Sequence, residues 1–209
     1  LPPGFGKSYT LANFANWCYG KNYKNKIITV SYNNKIAPEF ARTTRDMILE
    51  EPDPEGGSYT TRDFFPNVRV KYGDASAMKW SLEGSYASYL ATSFDGTVTG
   101  MRGNIIIIDD PIKNDREAAN DAVKEGHWNY LKNTLSSRAL PGALWIVVLT
   151  RWATDDLAGK LLQEYPEKCY VLEMKALTED SPEGVSICED LFPTVDLQDK
   201  RETLDENIW

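Results

Sequence analysis

Apolar positions along the chain follow two periods that take turns. Residues Lys7–Tyr19 carry Leu11, Phe14, Ala15 and Cys18 at helical spacing, with Gly20 as a stop. Lys26–Tyr32 is a β-branched run and reads as a strand. Ile36–Glu50 returns to helix, with Ile36, Phe40, Thr44, Met47 and Ile48 on one side. Glu51–Ser58 holds two prolines, two glycines and three acids and reads as a surface loop. Three short extended pieces follow, Val68–Tyr72, Met78–Leu82 and Tyr89–Thr92, spaced like a β-meander laid against a main sheet.

The second half repeats the alternation. Asn104–Pro111 reads Asn-Ile-Ile-Ile-Ile-Asp-Asp-Pro, an apolar β-branched run of the kind that is buried on both faces of a parallel sheet. Asn114, with Glu117 three residues on, begins a helix bearing Ala118, Ala122, Trp128, Leu131 and Leu135, loosened midway by Gly126. Pro141-Gly142 turns the chain into a buried strand, Leu144–Leu149. Thr154 caps a helix with Asp155 and Asp156 in its first turn, and Tyr170–Met174 makes a last strand. From Thr178 prolines and acids dominate, giving a linker that ends in a short helix near Leu197–Leu204. Strand and helix alternate, so the expected fold is α/β, a mainly parallel sheet flanked by helices.

Composition narrows the class. The 209 residues suffice for one α/β domain with a full core, and 42% hydrophobic with 26% charged is ordinary for a globular protein. No run approaches a membrane span, and residues 1–20 read as a loop and helix, not a secretory leader. Cys18, Cys169 and Cys188 are widely separated, which predicts reduced cytosolic thiols, and one histidine excludes an imidazole-rich metal centre. A net charge of −8 argues against a surface that binds nucleic acid everywhere, though not against a local basic patch.

The chemistry concentrates at three places. Residues 1–10 read Leu-Pro-Pro-Gly-Phe-Gly-Lys-Ser-Tyr-Thr and end a phosphate-binding loop. Gly4 and Gly6 leave room for backbone to wrap phosphate oxygens, Lys7 supplies a point charge, and Ser8 can ligate Mg²⁺. Pro3, Phe5 and Tyr9 flank these positions and complete the expected nucleotide-binding segment. Position 1 is Leu where the full loop pattern has another glycine. Such a loop normally follows a buried strand, so a first strand is expected upstream of residue 1. Asp109 and Asp110 end the isoleucine strand, where ligands bind in open α/β sheets. Asp109 suits a Mg²⁺ shell and Asp110 a proton acceptor for an attacking water. Thr150-Arg151-Trp152 ends the next strand, where a polar residue can sense the γ-phosphate. Arg102, between glycines seven residues before Asp109, is a candidate arginine finger. Lys21, Lys24 and Lys26 with Tyr23 interleave cations and an aromatic, a pattern that a solvated turn also produces.

Together these motifs resemble the ATPase domain of tailed-bacteriophage terminase large subunits. The matching segments are Pro2-Pro3 with Gly6-Lys7-Ser8, Ile107–Asn114, and Thr150-Arg151-Trp152 followed by Asp155–Gly159; Val30–Ile48 is similar to the family's second strand and helix. The resemblance implies an ASCE-type P-loop NTPase whose ATP hydrolysis drives double-stranded DNA into a prohead. It implies Lys7 and Ser8 on phosphate and Mg²⁺, Asp109 on the metal, Asp110 as catalytic carboxylate, Thr150 in a coupling motif and Arg102 in an Arg-Gly element that acts on a neighbour in some members. Two departures stand out: relatives often carry Arg-His where this chain has Gly4-Phe5, and their catalytic carboxylate is often Glu.

On the same resemblance, residues 1–177 form the ATPase domain and 178–209 begin the connection toward a nuclease domain, so no nuclease activity is expected here. The implied partners are duplex DNA, further copies in a ring, a portal protein and a small terminase subunit, in the cytoplasm of an infected bacterium. Two rival readings are a helicase-type P-loop translocase, which needs further nucleic-acid motifs after residue 150, and a nucleotide-binding assembly module that does not turn over.

Overall fold

A computed structural model describes residues 4–179 and 184–203. It divides into two compact units: Ser8–Leu149, and the loop through Lys7 together with the chain from Thr150 onward.

The first of these holds the sheet. Its elements are helix α1 (Lys7–Lys21, whose first residue belongs to the other unit), strand β1 (Ile27–Ser31), α2 (Ala37–Leu49), the short α3 (Thr61–Phe64), β2 (Val70–Ala75), β3 (Lys79–Leu82), β4 (Tyr89–Ser93), β5 (Gly103–Asp109), α4 (Asp115–Ala118), α5 (Asp121–Asn129) and β6 (Ala139–Val148). Among the described residues six strands form one sheet, in the order β2-β3-β4-β1-β5-β6. β1 lies parallel to both β4 and β5, and β6 parallel to β5, while β2 and β3 add an antiparallel extension. The expected meander is therefore no separate layer: β4 is a parallel neighbour of β1 within the main sheet.

The isoleucine run explains the centre. Ile105 and Ile107 join a cluster with Leu11, Ala15 and Tyr19 of α1 and Phe40, Ala41 and Ile48 of α2. Ile106 and Ile108, which alternate to the opposite face, are fully buried as well. Each such side chain contributes roughly 1.5–3 kcal/mol by leaving water, so the run fixes β5 between β1 and β6 with both faces covered. Trp80 and Tyr89 stack at 4.7 Å under α2. Two polar tips here are paired: Trp80 Nε1 donates to the Ala41 carbonyl at 3.2 Å and the Tyr19 hydroxyl to the Ser88 carbonyl at 2.8 Å.

Three expectations for this unit change. The helix after Asn114 breaks at Asn120, whose Oδ1 accepts from the amides of Ala122 and Val123, and it runs unbroken through Gly126. An Asn that can cap interrupts a helix more decisively than a glycine that merely tolerates it. Beyond Asn129 the backbone widens into a π turn over Tyr130–Leu135. β6 starts earlier than expected, at Ala139, and absorbs Pro141-Gly142 as an irregularity in its register with β5. It is also the last of the described strands in the sheet rather than a fully buried one, and Leu144 is 47% exposed.

Among the described residues of the other unit, α6 (Leu157–Glu164) and α7 (Thr194–Thr203) are the α-helices. Leu177 and Ser186 form an isolated antiparallel bridge. Tyr170–Met174 is not a strand; Tyr170 and Leu172 are largely exposed. Its alternating side chains suit a sheet, but a strand needs a neighbour for its backbone groups and no described strand supplies one. The expected tail helix is present as α7, with Leu204 outside the described residues. Among the described residues no helix is long and apolar enough to cross a membrane.

Candidate active site

In the sheet unit, the carboxyl ends of four strands line up. Ser93, Ser31, Asp109 and Val148 fall in one register row across β4, β1, β5 and β6. Asp109 is buried there, and Ser8 Oγ in the first turn of α1 donates to its Oδ2 at 2.5 Å. The metal-ligand pair expected from sequence, 101 residues apart, is thus in direct contact. The negative charge of Asp109 also reaches Tyr89, whose phenol is raised mainly by burial and further by this carboxylate.

Asp110 leaves the strand in an unusual conformation. Its φ is +40°, in the left-handed region, and its amide donates to the Val148 carbonyl at 2.9 Å. Asp and Asn tolerate that region far better than longer side chains do. The turn therefore accounts for Asp rather than Glu at this position: a longer carboxylate would gain reach but strain the backbone.

In the other unit, Gly4 and Gly6 have φ of +82° and +72°. A Cβ built at Gly6 meets nothing within 4 Å, so the loop faces open space there. Lys7 is buried, and its Nζ donates to Thr150 Oγ1 at 2.6 Å, which joins two more of the expected site residues. Phe5 turns to the chain's far end and stacks on Phe192. Pro3 lies outside the described residues. Tyr9, in the sheet unit, is 64% exposed on α1.

Thr150 stands on a loop that is tightly locked. Arg151 Nε donates to Asp156 Oδ2 at 2.7 Å, and its terminal nitrogen donates to the carbonyls of Ala153 and Thr154. Asp156 is fully buried and its second oxygen accepts from the Gly159 amide at 2.9 Å, so Asp156 rather than Thr154 caps α6. One carboxylate thereby meets a guanidinium and a helix amide together, a charge-assisted arrangement that justifies its burial. Gly159 is required by space, since a Cβ there would stand 1.9 Å from the Thr154 carbonyl oxygen. Sequence reading missed this lock. Its signal was the spacing Arg151…Asp156…Gly159, with an N-cap three residues before a glycine. Trp152 is 40% exposed and is not packed beneath the helix.

Arg102 is exposed and precedes β5, whereas Asp109 ends it. Seven residues of extended strand separate the two by roughly 23 Å, so the arginine does not join Asp109 within one chain. Lys21 lies over the Trp17 ring and Lys24 over Tyr23, while Lys26 Nζ donates to the Tyr86 carbonyl; these make a surface away from Asp109, at the opposite end of β1. His127 packs on Phe94 with ring centres 4.1 Å apart, and burial lowers its pKa. The three cysteines are free, and burial pushes the Cys18 thiol up to about 11. Among the described residues no group of three or more His, Cys, Asp or Glu is placed to hold a metal.

Comparison with known proteins places the chain. No curated protein sequence matches it. Among solved structures, the crystal structure of the HK97 bacteriophage large terminase aligns with a TM-score of 0.47 and 16% identity, over 78% of this chain and 30% of that one. This chain therefore spans less than a third of that protein's length. The family profile described as "Terminase large subunit, T4likevirus-type, N-terminal" matches residues 1–202. The motifs, the mixed but mostly parallel sheet and this match agree: the chain belongs to the terminase large subunits of the T4-like type, as their N-terminal ATPase region.

Proposed function

We propose that this chain hydrolyses ATP with Mg²⁺ and that the hydrolysis drives duplex DNA into a viral prohead. The observation that carries the reading is the 2.5 Å hydrogen bond from Ser8 to Asp109, which couples the phosphate loop's hydroxyl to the acidic strand end. The donor set fits the ion: Mg²⁺ is usually held by one or two carboxylates plus substrate phosphates and water, not by a cage of protein ligands. Ser8 and Asp109 would hold it, and once bound it supplies charge neutralisation at the β- and γ-phosphates.

The residues then divide the work. Backbone amides after Gly4 and Gly6, with Phe5, Tyr9 and Pro3 flanking, cradle the phosphates, and Lys7 transfers its hydrogen bond from Thr150 to the γ-phosphoryl. Asp110 orients the attacking water and takes its proton. Thr150, released as Lys7 turns to phosphate, reports occupancy through the locked Arg151–Asp156 loop. Given the length of β5, Arg102 acts on a neighbouring subunit's ATP, consistent with a ring around DNA. Portal protein and small terminase subunit are the further partners this reading implies, in the cytoplasm of an infected bacterium. Residues 1–177 are the catalytic part, and 178–209 start the connection toward a nuclease domain.

Turnover per subunit measured against protein concentration tests the assembly. It should rise with concentration, and an Arg102→Ala variant should be slow alone yet regain activity when mixed with an Asp110→Asn variant. Flat turnover, with Arg102→Ala as active as wild type, would place every catalytic group within one chain.

A further inference from the structure

The backbone just before Lys7 is held by a segment nearly two hundred residues away. The rings of Phe5 and Phe192 stack with centroids 4.5 Å apart and planes at 25°. Gly4 lies against the same ring, and a Cβ there would stand 2.8 Å from Phe192 Cζ. Phe192 thus fills the space that a side chain at position 4 would need, in addition to covering Phe5. Lys200 of α7 places its ammonium 5.7 Å from the Phe192 ring centre.

The segment that carries Phe192 is itself well fixed. The amides of Leu191 and Phe192 both donate to the Cys188 carbonyl. Thr194 is gripped by Glu189, which accepts from its amide and, at 2.6 Å, from its hydroxyl. The same hydroxyl accepts from the Ser186 amide at 2.8 Å, and Leu197 is buried one turn further on. An ordered turn followed by a helix therefore presents one aromatic ring to the two residues that open the phosphate loop.

We propose that Phe192 is a positioning residue for nucleotide binding. Its ring, with Lys200 beside it, holds Gly4-Phe5 in the left-handed turn that aims the loop toward phosphate. This rests on the nucleotide reading above. It also has a reciprocal consequence: a nucleotide that fixes the loop must stabilise docking of the Phe192 segment by the same factor that docking favours the nucleotide. An aromatic pair of this kind corresponds to about three- to tenfold in affinity.

The test uses the full chain with Mg²⁺ and the slowly hydrolysed analogue ATPγS. Its affinity is measured for wild type, Phe192→Leu, Phe5→Leu, the double variant and Phe192→Tyr. In parallel, limited proteolysis follows cleavage within residues 186–203 with and without ATPγS. We expect Phe192→Leu to bind about three- to tenfold more weakly, Phe192→Tyr to bind like wild type, and the double variant to be no worse than either single one. ATPγS should slow cleavage in wild type by a similar factor and have little effect in Phe192→Leu. Wild type that binds ATPγS, with additive variants and a cleavage rate indifferent to the analogue, would overturn the proposal alone. Wild type that binds no ATPγS would overturn the nucleotide reading, and this proposal with it.

Discussion

Exchanging Asp110 for asparagine is expected to cut ATP turnover by about 10²–10⁴-fold, the range for loss of a general base, while ATP affinity stays near that of wild type. The backbone makes this a clean substitution. At φ +40° the residue sits where Asn is as comfortable as Asp, so the fold keeps its turn and the Val148 hydrogen bond survives. What changes is the ability to accept a proton. Steady-state phosphate release and nucleotide titration on the same preparation separate the two quantities. A variant that turns over like wild type would remove Asp110 from the mechanism. Asp110→Glu serves as the counterpart: it keeps the charge but loses the several-fold preference that Asp has for a left-handed position, at a cost of about 0.5–1 kcal/mol in stability.

Lys7→Ala is expected to fail earlier, at binding. Lys7 brings the loop's own positive charge, and it already donates to Thr150 at 2.6 Å. Hydrogen bonds to charged partners contribute about 1.5–3 kcal/mol each, so ATP should bind about 10–100-fold more weakly. Turnover at saturation should drop by a further ~10²–10³-fold, as when one donor to a developing negative charge is removed. The signature that distinguishes the two variants is affinity: Asp110→Asn binds and does not turn over, whereas Lys7→Ala binds poorly. Equal affinity of Lys7→Ala and wild type, by titration with ATPγS, would contradict the assignment of the loop.

How much of this was legible depended on whether the deciding interaction was local. β5 could be read from Ile105–Ile108 because a strand buried on both faces is apolar at every position, and a short run made wholly of β-branched residues favours strand over a buried helix. The loop glycines were legible for a similar reason, since few residues other than glycine take positive φ freely. Partnership was not. Tyr170–Met174 has the composition of a strand and remains unpaired with any described strand, and β4 gave no sign that it would lie parallel to β1. The cap of α6 went to Asp156 although Thr154 and Asp155 are equally suited by type, and the Asp156 carboxylate that caps the helix also accepts from Arg151.

Arg102 shows how sequence distance misleads. Seven residues looked near, but along an extended strand they span most of the sheet's height, and the reading that follows is an arginine for a neighbour. Phe192 lay beyond sequence reasoning altogether, since nothing local marks it as the partner of Phe5.

The measurement that bears most directly on all of this is phosphate release from ATP by the wild-type chain, with Mg²⁺ present and then removed by chelation. Release that requires Mg²⁺, saturates with ATP and is lost in Asp110→Asn is the predicted result. ATP that binds with Mg²⁺ but stays intact, at every protein concentration, would contradict it and leave a nucleotide-binding assembly module in place of a motor.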